Sequence, residues 1–529
     1  MSDIVSTFIL DLPFDRFLAL CRSVTDSANE EGDVHFEEKL REFYEPFYKG
    51  REESRLYAVD NVEDLSNEDL YEFYFEKIPK FSTKLRRIIN KINPVFYTRL
   101  YQCVGNNVRK SGCADDAEYD PNKMYLFAQR ANKLIKILRH RSRKTGDNVC
   151  VVLDAIRNPY EAIFFRDRYS AFYMISVSTE DEVRKNRLLA QDNVSKNDIE
   201  NIDKRENPKS LKGNDRFWSL DLPRCIEICD VHLYNPEERS HYKEMKRQLV
   251  KYLSLIMHPG LVTPSSDERC MHIAVNAKLS SGCLSRQVGA VVTDEFYSVK
   301  SIGWNDVPKG QTPCNLRRVE DLINNEDEAA FSYFERENEE FLRKLKNVYG
   351  CDSDSDSISG IEFKGKPVSF CFKAIKNSVD GEKNQVHTRA LHAEENAFLQ
   401  ISKHGGMSIS GGRLFTTASP CELCAKKAYQ LEIGEIIFID PYPGISRDHI
   451  LRCGSKVPQM KLFAGAVGRA YQRLFEPVIP YKDELEVGLN LNYVSDKEKN
   501  ITLELEKLKK ENDQLRLDLA KSHVDQPSD

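Results

Sequence analysis

No segment of this 529-residue chain carries the roughly 18 consecutive apolar residues that a membrane-crossing helix needs. The amino-terminal stretch "MSDIVSTFILDLPFDRF" holds acids at Asp3 and Asp11, and its apolar run is too short for a secretory h-region. These two absences set the expectation of a cytoplasmic protein. Strong charge of one sign is missing as well. The formal net charge is −6, which argues against a polyanion binder acting with its whole surface and leaves room only for a local basic groove. The glycine-rich phosphate loop G-x-x-x-x-G-K-[ST] occurs nowhere. The leading apolar segment "STFILDLP" (6–13), expected as a strand, runs straight into "FDRFLALC" (14–21) with neither glycine nor lysine. Backbone N–H groups exposed by glycine, which cradle phosphate, are therefore not on offer there.

What remains is a globular composition, 40% hydrophobic, 30% charged and 10% aromatic, in a chain long enough for about two to four domains. The 14 cysteines are spread from Cys21 to Cys453. In a reducing compartment most are expected to be buried free thiols. Cys225 and Cys229, an i, i+4 pair in "PRCIEICD", read as packing neighbours on one helix face. Only Cys421 and Cys424, in "SPCELC", stand at metal-ligand spacing.

The first half reads as alternating helix and strand. "NVCVVLDA" (148–155) and "AFYMISVS" (171–178) look like buried parallel strands joined by a short helical crossover, and "CDVHLYN" (229–235) is a third candidate strand. The charged stretch 185–216 reads as a mobile surface segment or lid. A helix from about 240 stops at His258–Pro259–Gly260, which suggests a boundary between a domain spanning 1–240 and one spanning 265–480.

The second half predicts helix 267–281, strands 287–294 and 298–305, helix 388–403, strand 412–418, helix 421–433 and strand 435–440, an α/β/α sandwich. It is interrupted by an insertion near 316–365 that is expected to be disordered, with "CDSDSDSISG" (351–360), too polar to pack, as its loop tip. In a carboxy-terminal helix expected over 496–525, Ile501, Leu505, Leu508, Asn512, Leu515 and Leu519 recur at spacings of 4, 3, 4, 3 and 4. That is a short coiled-coil seam with asparagine at one core position, and the competing reading is a surface helix packed on its own domain.

"LHAEENA" places His392 and Glu394 two residues apart, 29 residues before Cys421. One imidazole and two thiolates make the three-ligand set of a catalytic zinc site, with a fourth position left for water. The start of a helix and the cation itself both favour deprotonated thiols. Glu394 is not needed as a ligand, and a carboxylate beside the metal can carry a proton away from water and hand it on. A redox pair would not call for the upstream His-x-Glu. A structural zinc site would need a fourth ligand such as Cys453 or His449, neither at knuckle spacing.

The H-x-E…P-C-x-x-C pattern is a known signature of zinc deaminases. Together with "LSRQVGAVVTD" (284–294), "GWNDVP" (303–308) and "TTASPCELCAKKA" (416–428) in that order, residues from about 265 to 480 resemble the cytidine/deoxycytidylate deaminase superfamily. "DPYPGISRDHI" (440–450), "GAVGRAYQRLFEP" (465–477) and, in the first half, "VVLDAIRNPYEA" with "FYMISVSTEDEVRKNRL" resemble the bacterial group that joins a P-loop kinase-like domain to such a deaminase and acts as an anti-phage dCTP/dCMP deaminase.

The resemblance implies an amino-terminal P-loop kinase-like three-layer domain, degenerate here because the phosphate loop is missing and better suited to bind a regulatory nucleotide or inhibitory partner than to transfer phosphate. It implies hydrolysis of the 4-amino group of a deoxycytidine nucleotide, depletion of dCTP in antiviral defence, and a homo-oligomer. By the same carry-over His392, Cys421 and Cys424 hold Zn2+, Glu394 shuttles protons, and Asn305 contacts the sugar. Arg286 and Gln287 are candidates for phosphate or an effector nucleotide. Ser419 departs from the glutamate that many members carry before Pro-Cys.

Two other readings stand beside this one. A nucleic-acid cytosine or adenine deaminase would want a basic, aromatic-lined groove, and the second half has no evident tract of that kind. A non-catalytic zinc scaffold would have no use for Glu394.

Overall fold

The computed structural model describes residues 1–24, 34–54, 68–91, 95–190, 195–207, 211, 213–236, 242–350, 363–405, 408–441, 444–491 and 496–522. The chain divides into two compact units, Met1–Tyr252 with Pro264–Gln472, and Leu253–Thr263 with Arg473–Asp529.

The described residues before Ile175 contain helices and no strand. The expected strand at 6–13 is instead the end of helix Ser2–Ile9, in which Ile4, Val5, Phe8 and Ile9 are all buried. A continuous apolar run fits a buried helix and a buried strand equally well. Here even the polar positions find internal partners, Ser6 Oγ lying 2.8 Å from Ser82 Oγ and 2.6 Å from Tyr101 Oη. Around this helix an aromatic core assembles from Phe17, Tyr44, Phe81, Phe127 and Phe165. Tyr44 stacks on Phe17 with centroids 4.7 Å apart and donates its hydroxyl to the Ile9 carbonyl.

The expected strand at 148–155 is also corrected. Among the described residues it pairs with no strand, and Val152 is 84% exposed. The expected crossover between 148–155 and 171–178 therefore does not form. Strand β1 (Ile175–Ser178) instead runs parallel to β2 (Val231–Tyr234), and the third strand of that sheet is β8 (Gly465–Ala466), antiparallel to β2 with Val231 opposite Ala466. Over its described residues the first half does not show the expected self-contained three-layer kinase-like domain, since its two strands share a sheet with β8.

The charged stretch 185–216, expected as a mobile surface segment or lid, is largely helical over its described residues. It folds into helices Asp181–Leu189, Lys196–Glu206 and Asp215–Trp218. Ser195 and Asp198 close a capping box, and Arg184 bridges Asp181 and Asp203. Such reciprocal capping satisfies two orphan N–H donors, which lets a polar segment hold a helix with only Ile199 buried.

In the second half a five-stranded sheet has the order β4-β3-β5-β6-β7, comprising β3 (Gly289–Thr293), β4 (Val299–Trp304), β5 (Arg413–Ala418), β6 (Glu435–Asp440) and β7 (Gln459–Leu462). β3 is antiparallel to both neighbours, and β5, β6 and β7 run parallel. Side chains alternate between faces as strand geometry demands. Ala290 and Val292 join helices Ala393–His404 and Glu422–Gln430 on one side. Val291 packs with Cys270, Met271 and Ala274 of helix Ser266–Ala277 on the other. This is a mixed α/β sandwich, and β7 is the strand the sequence reading omitted.

The insertion folds over 316–350, contrary to the expectation of disorder throughout. Val319, Leu322, Phe331, Phe341, Leu345, Phe370 and Ile375 form a separate small core, while the acidic tract 351–360 lies outside the described residues. Arg317, fully buried, pairs with Glu335, donates Nε to the Ala330 carbonyl at 2.8 Å and lies within 5.0 Å of the ring centroids of both Phe331 and Phe370. Removing one partner of a buried pair strands the other charge, at about 3–5 kcal/mol. Arg317→Ala is accordingly expected to loosen this core selectively. Limited proteolysis should then cut within 316–350 before it cuts the sheet, and equal cutting rates in variant and parent would contradict this.

Candidate active site and metal centre

Two helices converge on one point. His392 is the N-cap residue of helix Ala393–His404, and Cys421 is the N-cap residue of helix Glu422–Gln430, with Cys424 in its first turn. β5 delivers the second helix through Ala418, Ser419 and Pro420. The first is held against β4 by two contacts, Leu391 N–H to the Asp306 carbonyl at 2.8 Å and Asn396 Nδ2 to the Trp304 carbonyl at 3.0 Å. Gly303 lets the two backbones touch, since a Cβ there would lie 2.2 Å from the Ala393 carbonyl oxygen.

The result is a compact donor set. His392 Nδ1 is 3.2 Å from Cys421 Sγ and 3.5 Å from Cys424 Sγ, and all three ligand atoms lie within 4.8 Å of one another. Zn–S and Zn–N bonds of about 2.3 and 2.1 Å at tetrahedral angles would separate such atoms by roughly 3.6–3.8 Å. The donor set therefore fits zinc with only a small expansion.

The electrostatics point the same way. A hydrogen bond from Cys424, followed by one from His392, pulls the Cys421 thiol down to about 3, and the same pairing pushes the Cys424 thiol up. His392 is raised by its bond to Cys421. Two helix N-termini add positive partial charge at the point where a thiolate sits. Among the described residues no fourth ligand joins this group, and Cys453 is exposed with its thiol on the Asp448 carbonyl.

Glu394 stands apart from the ligand set but shares its cavity, a hollow of about 250 Å³. It is 4% exposed, and burial pushes its carboxyl above the ordinary carboxylate range. The Thr416 hydroxyl lies 3.1 Å from its Oε1. A buried carboxyl poised to accept a proton, next to a site for a Lewis acid, is the equipment of hydrolytic proton transfer.

Arg286 and Asn305 also line the cavity, whereas Gln287 does not and instead donates its amide to the Ser281 carbonyl. Arg286 pairs with Asp440, whose carboxyl burial raises to about 6. The Asn305 amide is occupied on both ends, accepting from Val288 N–H and donating to the Arg286 carbonyl, each at 2.6 Å. It braces the 286–288 wall. Ser419 is buried in the wall as well, its N–H on the Asp440 carbonyl at 2.9 Å.

The sequence reading missed Arg389 and Lys373, which place two further cations on the cavity wall. Arg389 reaches the Thr312 carbonyl at 3.3 Å, and Lys373 Nζ lies 2.9 Å from Gln385 Oε1. Arg389 stands three residues before His392, a proximity that could have flagged it. Lys373 belongs to the helix that follows the insertion, and nothing local announces it.

Residues 264–440 match the family model for the cytidine and deoxycytidylate deaminase zinc-binding region. Over 177 residues, 32% of this chain and 78% of the relative, the sequence is 27% identical to a deoxycytidylate deaminase of enterobacteria phage T2. It is 45% identical over 49 residues to a "Probable deoxycytidylate deaminase" of Drosophila melanogaster, a match covering 9% of this chain and only 23% of that relative. A solved dCMP deaminase of cyanophage S-TIM5, in complex with dCMP and dUMP, aligns with 38% of this chain and 99% of its own at 20% identity and a TM-score of 0.22. The family match and the phage relative support the deaminase superfamily for this region.

Proposed function

We propose that the chain is a zinc-dependent hydrolase that removes the 4-amino group of a deoxycytidine nucleotide, dCMP or dCTP, to give the deoxyuridine nucleotide and ammonia. The observation that carries this reading is Glu394, buried beside the His392–Cys421–Cys424 set yet not part of it. A structural zinc site has no use for such a carboxylate. The family match over 264–440 and the phage relative support the same chemistry.

Zinc held by His392 Nδ1 and the two thiolates would supply the Lewis acidity that makes water nucleophilic at neutral pH. The protein's own part is proton handling and positioning. Glu394 takes a proton from water as oxygen attacks C4. It passes that proton to N3, then takes the proton of the hydroxyl now on C4 and gives it to the exocyclic nitrogen, so that the C4–N4 bond breaks with ammonia as leaving group and C4 keeps the oxygen as a carbonyl. Its raised pKa suits both directions of transfer. Thr416 orients the carboxyl, and Asn305, by fixing the 286–288 backbone, shapes the wall against which the sugar would rest.

Arg389, Lys373 and Arg286 supply the positive charge that a nucleotide phosphate would meet. Losing a charged hydrogen bond costs about 1.5–3 kcal/mol, so Arg389→Ala should raise KM for a nucleotide by roughly 10- to 100-fold. It should leave the same constant for cytidine nearly unchanged. Equal losses on both substrates would remove Arg389 from phosphate recognition.

Depletion of dCTP as an antiviral device is the role that fits this activity, with the first half as its regulatory module. The decisive assay offers zinc-loaded protein dCMP, dCTP, cytidine and a cytosine-containing oligonucleotide, and follows ammonia and uracil. Turnover of the oligonucleotide alone would replace the nucleotide reading with a nucleic-acid deaminase, and turnover of nothing would favour a scaffold.

A further inference from the structure

The helix Asp496–Ser522 is exposed along its length over the residues whose side chains are described. Ile501, Leu505, Leu508 and Leu515 are each between 53% and 64% exposed. With Ile501, Leu508 and Leu515 at heptad position d, Leu505, Asn512 and Leu519 fall at a. Thr502, Lys509 and Arg516 then fall at e, and Glu504, Glu511 and Asp518 at g. Leu503 and Leu517 stand at f, outside the seam.

This distribution of charge selects one partner. In a parallel coiled coil a g residue faces the following e residue of the partner helix. Two copies of this helix would set Glu504 against Lys509 and Glu511 against Arg516, in both directions. In an antiparallel pair e faces e and g faces g, which opposes Lys509 and Arg516 to each other and sets the three acids together. Among the described residues Glu504, Lys509, Glu511 and Arg516 form no ion pair within their own chain. Asn512 at a adds the same preference, since two asparagines satisfy each other across a parallel, in-register interface and specify two strands.

We infer that this helix is the seam of a parallel, in-register homodimer, its occupant a second copy of the same helix. The inference is independent of the deaminase reading. At under three heptads the seam is marginal as an isolated peptide, so the test uses the whole chain.

Core a positions in such a dimer approach closely enough for a disulfide. Full-length Asn512→Cys, oxidised with diamide and digested, is expected to yield a 512–512 linked peptide. Lys510→Cys, facing outward at f, is expected to yield none. Absence of the 512–512 link, or equal linking at 510, would overturn the parallel register whatever other contacts join the chains. In sedimentation equilibrium, Lys509→Glu/Arg516→Glu should weaken self-association at least about tenfold. Mixing it with Glu504→Lys/Glu511→Lys should restore a mixed dimer, and unchanged association in the first variant, or no recovery on mixing, would refute the charge pairing.

Discussion

Glu394→Gln is expected to lower turnover by roughly a thousandfold, within the 10²–10⁴ span of general acid–base catalysis, while the protein keeps its zinc and its fold. Glutamine matches the carboxyl in shape, so the Thr416 contact at 3.1 Å can survive. It cannot accept a proton, and among the described residues no other carboxylate lines the cavity. Steady-state rates with metal content measured on the same sample separate the two properties. Loss of zinc with loss of rate would make Glu394 a ligand, against the three-atom set found here. Full activity would remove it from catalysis altogether.

Cys424→Ser should have the opposite signature. Changes in residues that merely support metal ligands cost about 10–100-fold in affinity. If Cys424, a residue only 1% exposed, is a ligand as proposed, its replacement should exceed that range, and turnover should fall with zinc occupancy. A hard, weakly acidic hydroxyl would stand where zinc would otherwise meet a soft sulfur. Cys453→Ser is the control, because Cys453 is exposed and stands outside the ligand group. It should retain metal and rate. A matched loss of zinc in both variants would point to a four-ligand structural site instead.

The second half was legible because its code is local. Strand 435–440 was expected and found at Glu435–Asp440, and the expected strand 412–418 is Arg413–Ala418. His392 and Cys421 stand at two helix starts, with Cys424 one turn further on, and this placement is carried by the local sequence. The first half misled for a physical reason. "STFILDLP" has a short apolar run with no clear period, so periodicity could not separate strand from helix, and the answer lay in Ser82 and Tyr101, more than 70 residues away. The charged stretch after 185 hid its helices in caps and ion pairs such as Ser195–Asp198 and Arg184–Asp203. Lys373 could not be anticipated, because an insertion with its own small core precedes its helix. Asn305, expected to contact the sugar, lies on the cavity wall with its amide committed to backbone.

The pairing of β2 with β8 also has a consequence for biosynthesis. Tyr234, at the end of β2, leaves the ribosome long before Gly465 and Ala466 exist. At about 5–20 residues per second the interval is on the order of 10–50 seconds, during which the β1–β2 pair waits with an unsatisfied edge. An open strand edge invites association with other nascent chains. Truncation anywhere before residue 465 would leave β2 without that partner strand.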